Sequence, residues 1–379
     1  MSEREPAPIK TWLAEPMPAD VSSALERLRR ADDVCRVAVM PDVHLAKEVC
    51  VGTVLATRRL LYPGAVGGDI GCGMLAVAFD AGAGLLADPA RAGRLLNALG
   101  GAVPTMRRHR SRTIAYPPDL AQTALSQPSL DAVSRSEGVL QMGTLGGGNH
   151  FVELQSDDDG RLWLMIHSGS RTMGQAVRDH HLSRASPAGA GLLALDADTD
   201  DGRAYLHDVE WARRFADANR RAIAEVVAKC VKAECAGHTL PETLVTCDHN
   251  HVAREEHFGA PLLVHRKGAM PAAAGAPGVL PGSMGTLSYH VEGRGCAESL
   301  RSSAHGAGRA YSREQARRRT TARELSRQMT GVWFDYRIAR SLRDEAPSAY
   351  KDVRAVLRAQ HELVRVVRTL RPLLSYKSP

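Results

Sequence analysis

An acid and a thiol stand three residues apart in Gly67-Gly68-Asp69-Ile70-Gly71-Cys72-Gly73-Met74, where glycine fills nearly every other position. Glycine lets backbone approach backbone and permits positive φ, so such a turn can aim a carboxylate and a thiolate at one point. Three further islands offer donors: Gly146-Gly147-Gly148-Asn149-His150, Ile166-His167-Ser168-Gly169-Ser170-Arg171 and Asp248-His249-Asn250. Cys72, His150, His167 and His249 are borderline-to-soft ligands and Asp69 is a hard one, a mixture that suits Mn²⁺ or Zn²⁺ better than Mg²⁺. Five donors are one too many for a closed tetrahedral site. They fit two ions bridged by one thiolate, a pair able to clamp the attacking and leaving oxygens of a phosphoryl transfer. Taken singly, each histidine reads better as a hydrogen-bonded core or loop residue. Four glycine-flanked islands together favour the metal site.

A fourth island, Ser303-Ala304-His305-Gly306-Ala307-Gly308-Arg309, suggests a different task. Glycines beside His305 expose backbone N–H groups to a phosphate. A neutral imidazole can attack phosphorus and form a phosphoramidate, and Arg309 stands ready to balance the charge. On spacing alone, a helix-capping loop with a structural histidine is an equal reading. Gly146-Gly147-Gly148 lacks the spacing and the Lys-Ser/Thr of a P-loop. Ser168-Gly169-Ser170-Arg171 reads either as a phosphate cradle or as a tight turn.

The elements that must position these islands follow from patterning. Residues 18–31 predict a short amphipathic helix, and Cys35 to Val43 a buried strand closing on Pro41-Asp42-Val43-His44, with Asp42 and His44 on one face. Val51 to Leu55 and Met74 to Phe79 are further strands. Residues 87–100 suit a helix. Residues 103–137 read as a mobile, turn-rich surface excursion with Arg107, Arg108, Arg110 and Arg112 near its start. His150 to Gln155 and Arg161 to His167 form the clearest hairpin, closed by Ser156-Asp157-Asp158-Asp159-Gly160. It would hold Asn149/His150 opposite His167. Helices are expected at 172–183 and 203–233, joined by a polar link over 186–200. Leu244 to Cys247, Leu262 to Met270 and Gly278 to Val291 are β-type, with Pro281-Gly282-Ser283-Met284-Gly285 as a turn. The remainder, 312–330 and 350–369, reads as helical and basic. No repeat or linker divides the chain, so one domain over 1–379 is expected.

Composition sets bounds. The 44% hydrophobic content is ample for a core, but aromatics make up only 4%, so aliphatic and alanine packing must dominate. The net charge of +7 suits a polyanionic partner such as nucleic acid, though it suits an ordinary basic protein equally. Seven scattered cysteines with no CxxC argue against a disulfide framework or a zinc knuckle. The charged N-terminus has no apolar signal segment and no run is long enough to span a bilayer, so a cytoplasmic protein without a membrane partner is expected.

Read in order, MPDVH, VGGDIGCGM, GTLGGGNHFVEL, IHSGSR, DHNHV, RKGA, PGSMGTLSYHVEG, SSAHGAGR and AYKDV cover nearly the whole chain. Together they closely resemble the RtcB family of RNA-splicing ligases. The resemblance implies an α+β, single-domain RtcB-type fold with central β-sheets and peripheral helices. It implies GTP-dependent joining of an RNA 3′-phosphate or 2′,3′-cyclic phosphate to a 5′-hydroxyl, in tRNA splicing or RNA repair. By the same resemblance His305 takes GMP from GTP. One Mn²⁺ belongs to Cys72, His167 and His249, and a second to Asp69, Cys72 and His150. The guanylate contacts are Asn149, His150, Phe151, Val152, Glu153, His249, Asn250, Pro281, Gly282, Ser283, Met284, Ser288, His305, Gly306, Ala307, Gly308 and Lys377, with Tyr350 a candidate for stacking on the base. The expected partners are RNA ends and GTP, with room for an archease-type activator, and the expected state is a monomer. Two departures mark a divergent member: Leu45-Ala46-Lys47-Glu48 where relatives carry Gly-x-Gly-type spacing, and the tail Lys377-Ser378-Pro379. Alternative readings are a two-metal phosphoesterase that trims RNA ends, and an RNA-binding protein with a structural metal.

Overall fold

The computed structural model describes residues 5–378, which fold as a mixture of α and β elements. Two large sheets dominate. One has five strands in the order Ile9–Thr11, Val34–His44, Val51–Thr57, Ala260–Lys267, Asn250–His257. The other has seven, in the order Thr239–Asp248, Gly73–Gly82, Arg161–Ser168, Phe151–Ser156, Val364–Lys377, Ser288–Gly293, Pro277–Leu280. The chain passes from one to the other through a single residue, His249, since Asp248 ends a strand of the seven and Asn250 begins a strand of the five.

Strand alternation divides the residues of the larger sheet between two faces. Met74, Ala76, Ala78, Trp163 and Met165 face inward and meet Val279 and Leu370, because the sheet curls on itself. Leu75, Val77, Phe79, Leu164 and Ile166 face the other way and pack on Ile223, Val227 and Val231 of the helix Asp200–Cys235. Each such aliphatic side chain contributes about 1.5–3 kcal/mol on burial. The Thr199 hydroxyl accepts from Gly202 N at the start of this helix, and Ala236 ends it with a left-handed φ of 54°. The helix Pro89–Ala102 follows the same logic: Asp88 caps it, proline fills its first position, and Ala92, Leu95 and Leu99 are buried.

The hairpin forms as its alternation predicts, with Phe151 opposite His167. Four expectations need correction. Residues 103–137 are not a loose excursion: Tyr116 meets Trp211 and Phe215 edge-on at 6.2 and 5.6 Å, and the Asp208 carboxylate accepts from Ser126 N and Oγ at 2.8 and 2.6 Å. Scattered leucines (Leu120, Leu125, Leu130) carry the burial there, too few per turn to show a period. The link at 186–200 contains the strands Ser186–Pro187 and Leu193–Asp196, and the latter pairs with Leu60–Leu61. The expected helix over 350–369 stops after Val353–Ala359, and the chain then enters the strand Val364–Lys377. That strand fills the slot between Phe151–Ser156 and Ser288–Gly293, so tertiary pairing overrides a spacing that also fits a helix. Likewise 312–330 is two short helices, Arg313–Arg319 and Ala322–Gln328, each opened by a capping box. Among the described residues no helix is long and apolar enough to cross a membrane.

Candidate active site

The junction of the two sheets gathers the donors. Cys72 precedes the strand Gly73–Gly82, His167 nearly ends its neighbour Arg161–Ser168, His150 precedes Phe151–Ser156, and His249 bridges the sheets. Cys72 Sγ lies 3.4 Å from His150 Nε2 and 3.2 Å from His167 Nε2. His167 Nε2 is 3.3 Å from His249 Nε2, and His150 Nε2 is 3.0 Å from Asp69 Oδ2. Two triads result, Cys72–His167–His249 and Asp69–Cys72–His150, with the thiol common to both. The family resemblance implies the same two groups.

His167 Nδ1 lies 3.1 Å from the Asn149 carbonyl, so its Nδ1–H donates there and its Nε2 keeps the lone pair, whereas His150 Nδ1 stands between the Leu145 carbonyl at 3.1 Å and Arg171 Nη1 at 3.2 Å. Burial, reinforced by the neighbouring histidines, holds His167 and His249 well below the usual histidine range, so both rings are neutral. Burial alone would raise the Asp69 carboxyl; His150 beside it and Arg171 nearby outweigh that and hold it down at about 2. Burial and Asp69 push the Cys72 thiol well up. In each triad the ligand atoms lie within 4.8 Å of one another, with the buried sulfur common to both. The donor set therefore fits two divalent ions.

His305 lies beside this cluster, its ring centroid 4.6 Å from that of His249. The ladder Ala269–Pro271 with Ser302–Ala304 delivers it there. Its Nδ1 is 2.6 Å from Asp42 Oδ2, and Asp42 is fully buried. That oxygen accepts from the His305 backbone N–H at 3.3 Å and is not aligned for a hydrogen bond with the ring, but its charge beside Nδ1 favours a proton there and leaves Nε2 as the candidate nucleophilic nitrogen. Asp42 and His44 were expected on one face; the Asp42 side chain serves His305, and His44, which lines the same cavity as His305, donates its Nδ1–H to the Asp42 carbonyl at 2.9 Å. Gly308 permits this packing: at φ +72° a Cβ there would lie 2.5 Å from Asp42 O.

A cavity of about 410 Å³ opens over both features. Of the expected nucleotide contacts, Asn149, Phe151, Glu153, His249, Asn250, Pro281 to Met284, Ser288, His305 to Gly308, Lys377 and Tyr350 line it. Val152 does not: alternation turns it to the opposite face, into the core with Leu164 and Ile166. His150 does not line it either, being turned to Cys72 and Asp69. The Asn250 amide is used at both ends, donating to Asp69 O at 3.0 Å and accepting from Gly268 N at 2.8 Å. Lys377 Nζ donates to Glu345 Oε2 at 2.6 Å, and the Tyr350 hydroxyl donates to the same oxygen at 2.6 Å. Arg107 pairs with Glu137, Arg108 donates to the Met142, Gly143 and Ala102 carbonyls, Arg317 pairs with Asp344 and Arg318 with Glu314.

Sequence reasoning missed the supports on the long helix. Arg213 Nε donates to Asp248 Oδ2 at 2.6 Å. Asn219 accepts from Gly143 N at 2.7 Å and donates to Thr144 O at 3.1 Å and Ser168 Oγ at 3.0 Å. Arg220 donates to the Gly71 and Ser168 carbonyls at 2.8 and 2.9 Å. Spaced along one helical face, these three brace the loops that carry Cys72, His150, His167 and His249. The available signal was polar residues falling on an otherwise apolar stripe.

The fold and site thus place a cavity of about 410 Å³ beside two donor triads that share one thiol and a histidine set against a buried carboxylate. The chain matches the family model described as tRNA-splicing ligase RtcB over residues 25–129 and 120–378. It is 35% identical to the RNA-splicing ligase RtcB of Escherichia coli K12, covering 98% of both chains. It is 30% identical to the RNA-splicing ligase RtcB of Mycobacterium tuberculosis over 88% of this chain and 95% of the relative. The tRNA-splicing ligase RtcB of Thermococcus kodakarensis is 29% identical, over 88% of this chain and 86% of the relative. The chain belongs to the RtcB family.

Proposed function

We propose that the protein is an RNA ligase that joins a 3′-phosphate or 2′,3′-cyclic phosphate end to a 5′-hydroxyl end at the expense of GTP. The observation that carries the reading is the juxtaposition of a thiol shared by two donor triads with the Asp42-held ring of His305. Cys72, His167 and His249 would hold one Mn²⁺, and Asp69, Cys72 and His150 the other. When bound, the ions supply charge neutralisation on the phosphate oxygens and Lewis-acid activation of the attacking oxygen.

The chain's own residues do the rest. His305 Nε2 attacks the α-phosphorus of GTP, the bond to pyrophosphate breaks, and a histidine–GMP phosphoramidate forms. Asp42 stabilises the positive charge that develops on the ring. A cyclic RNA end is first opened by water to the 3′-phosphate. An oxygen of that phosphate then attacks the phosphoramidate and frees His305. The 5′-hydroxyl oxygen attacks the RNA phosphorus and GMP departs. Arg309 lines the cavity, but its guanidinium is taken up by the Tyr311 and Asp344 carbonyls and by Glu345, so its charge is already partnered. A site drawing on residues 42 to 377 supports one catalytic domain.

The test is incubation with GTP labelled at the α-phosphate and Mn²⁺. Acid-labile, alkali-stable label on the protein, absent from His305→Ala, is the expected result, followed by joining of RNA fragments that carry the stated ends. A protein that trims RNA ends and retains no label is the phosphoesterase of the alternative reading.

A further inference from the structure

The cavity has two walls, one from each large sheet. Phe151, Glu153, Ser288 and Lys377 stand on strands of the seven and supply nucleotide contacts in the function proposed above. His44, Val51 and Lys267 stand on strands of the five, and His44 has no task in the steps described so far. It ends its strand half-buried, its backbone paired with Val51. Its Nδ1–H donates to the Asp42 carbonyl at 2.9 Å, so the lone pair sits on Nε2. That nitrogen has no protein partner among the described residues, and the ring forms part of the cavity wall. Asp42 thus serves two imidazoles, His305 through its carboxylate and His44 through its carbonyl. Lys351 Nζ donates to the Pro41 and Val43 carbonyls at 3.1 and 2.9 Å and braces this strand end.

The charged and titratable neighbours of His44 are Asp42, His305 and Lys351. Burial lowers the ring from the ordinary 6.5; His305 and Lys351 add to that, and Asp42 opposes it. A neutral imidazole with a free Nε2 is a proton acceptor. In the sealing step a 5′-hydroxyl attacks the RNA phosphorus while GMP departs, and the hydroxyl proton must leave as the new bond forms. An in-line displacement sets the attacking and leaving oxygens on opposite sides of phosphorus. His305, which carried the GMP, stands on the leaving side. Lys267 Nζ donates to the Gly64 carbonyl at 3.0 Å, and although burial lowers it to about 8 it stays mostly protonated at neutral pH. On the five-stranded wall His44 is the neutral base.

We infer that His44 is the general base of the sealing step, its Nε2 taking the proton of the 5′-hydroxyl as that oxygen bonds to the RNA phosphorus. The bond from that phosphorus to the GMP oxygen breaks, GMP leaves with the electron pair, and the proton passes from His44 to solvent. The inference rests on the RNA-ligase reading given above.

The experiment is single-turnover sealing by the full chain with Mn²⁺, using an RNA strand whose 3′-phosphate already carries GMP and a second strand with a 5′-hydroxyl. Neither GTP nor labelling of His305 then enters the rate. Wild-type protein is expected to seal, with a rate that falls on the acid side as His44 gains a proton. His44→Gln, which stays polar but takes no proton, should seal about a hundredfold or more slower and lose that acid-side fall. If it does not fold, His44→Ala with added imidazole decides the matter: a rate raised by imidazole is expected, and no rise overturns the inference. A folded His44→Gln that seals at the wild-type rate overturns it, and so does a slow variant with the wild-type pH profile, the mark of a structural role. Wild-type protein that cannot seal the GMP-bearing end overturns it together with the RNA-ligase reading.

Discussion

Replacing Asp42 by asparagine tests the assignment of His305 most directly. The carboxylate is fully buried and its Oδ2 is 2.6 Å from His305 Nδ1. Asparagine keeps the shape but can turn an NH₂ toward the ring. The imidazole then does better with its proton on Nε2, the nitrogen needed as nucleophile. To react, it must move that proton to Nδ1 without the buried negative charge that favours it there, a loss of about 1.5–3 kcal/mol, the scale of an interaction with a charged partner. That corresponds to a fall of about 10- to 150-fold in the rate of nucleotidyl transfer. The assay is single-turnover labelling of the protein with α-labelled GTP at saturating GTP and Mn²⁺, with His305→Ala as the blank. The apparent affinity for GTP should change little, because Asp42 does not line the cavity. Labelling by Asp42→Asn at the wild-type rate would falsify the claim that this carboxylate sets the ring's tautomer.

Other perturbations have equally definite outcomes. Mn²⁺ at a hundredfold excess over its dissociation constant should stabilise the wild-type protein by about 2.7 kcal/mol, and Cys72→Ala, which removes the shared ligand, should lose most of that thermal shift; a full shift in the variant counts against the bridge. Asn219→Ala leaves the buried amide of Gly143 without its acceptor and should cost about 1–3 kcal/mol in urea unfolding, together with weakened Mn²⁺ binding; undiminished Mn²⁺ affinity would separate the helix from the site. Burial alone would raise Glu345, but Lys377 and Arg313 hold it down at about 2 against an ordinary 4.5. Its folded-state value is depressed, so its contribution is present above pH 4.5 and fades as pH falls toward 2. About 2 kcal/mol should be lost between pH 5 and pH 3, and a Lys377→Met protein that loses as much over that interval would show that this lysine is not the cause.

Much of the site was legible because its chemistry is local. Gly169 shows why a short motif suffices: a Cβ there would stand 2.1 Å from Asp69 Oδ1, so the residue type is fixed by the approach of the loops. The hairpin from His150 to His167 was readable because alternation and a glycine turn specify register over a few residues. The failures share a cause. Val152 was placed in the cavity by membership of a motif, although the pleat that presents Phe151 and Glu153 must bury it behind. The strand Val364–Lys377 was misread because its partners lie more than seventy residues away in either case, at Ser288–Gly293 and Phe151–Ser156. The segment 103–137 gained its order from aromatic contacts with a helix nearly a hundred residues on.

By itself the sequence brought out the candidate donors, the histidine proposed as nucleophile and the pairing of the hairpin, because residue type, glycine-permitted turns and strand period act over short separations. Only the tertiary structure decided which carboxylate stands beside His305, which helix braces the ligand loops, and which wall of the cavity carries His44. Those are contacts between segments far apart in the chain, and they depend on how two sheets meet at His249, a junction that no local pattern encodes.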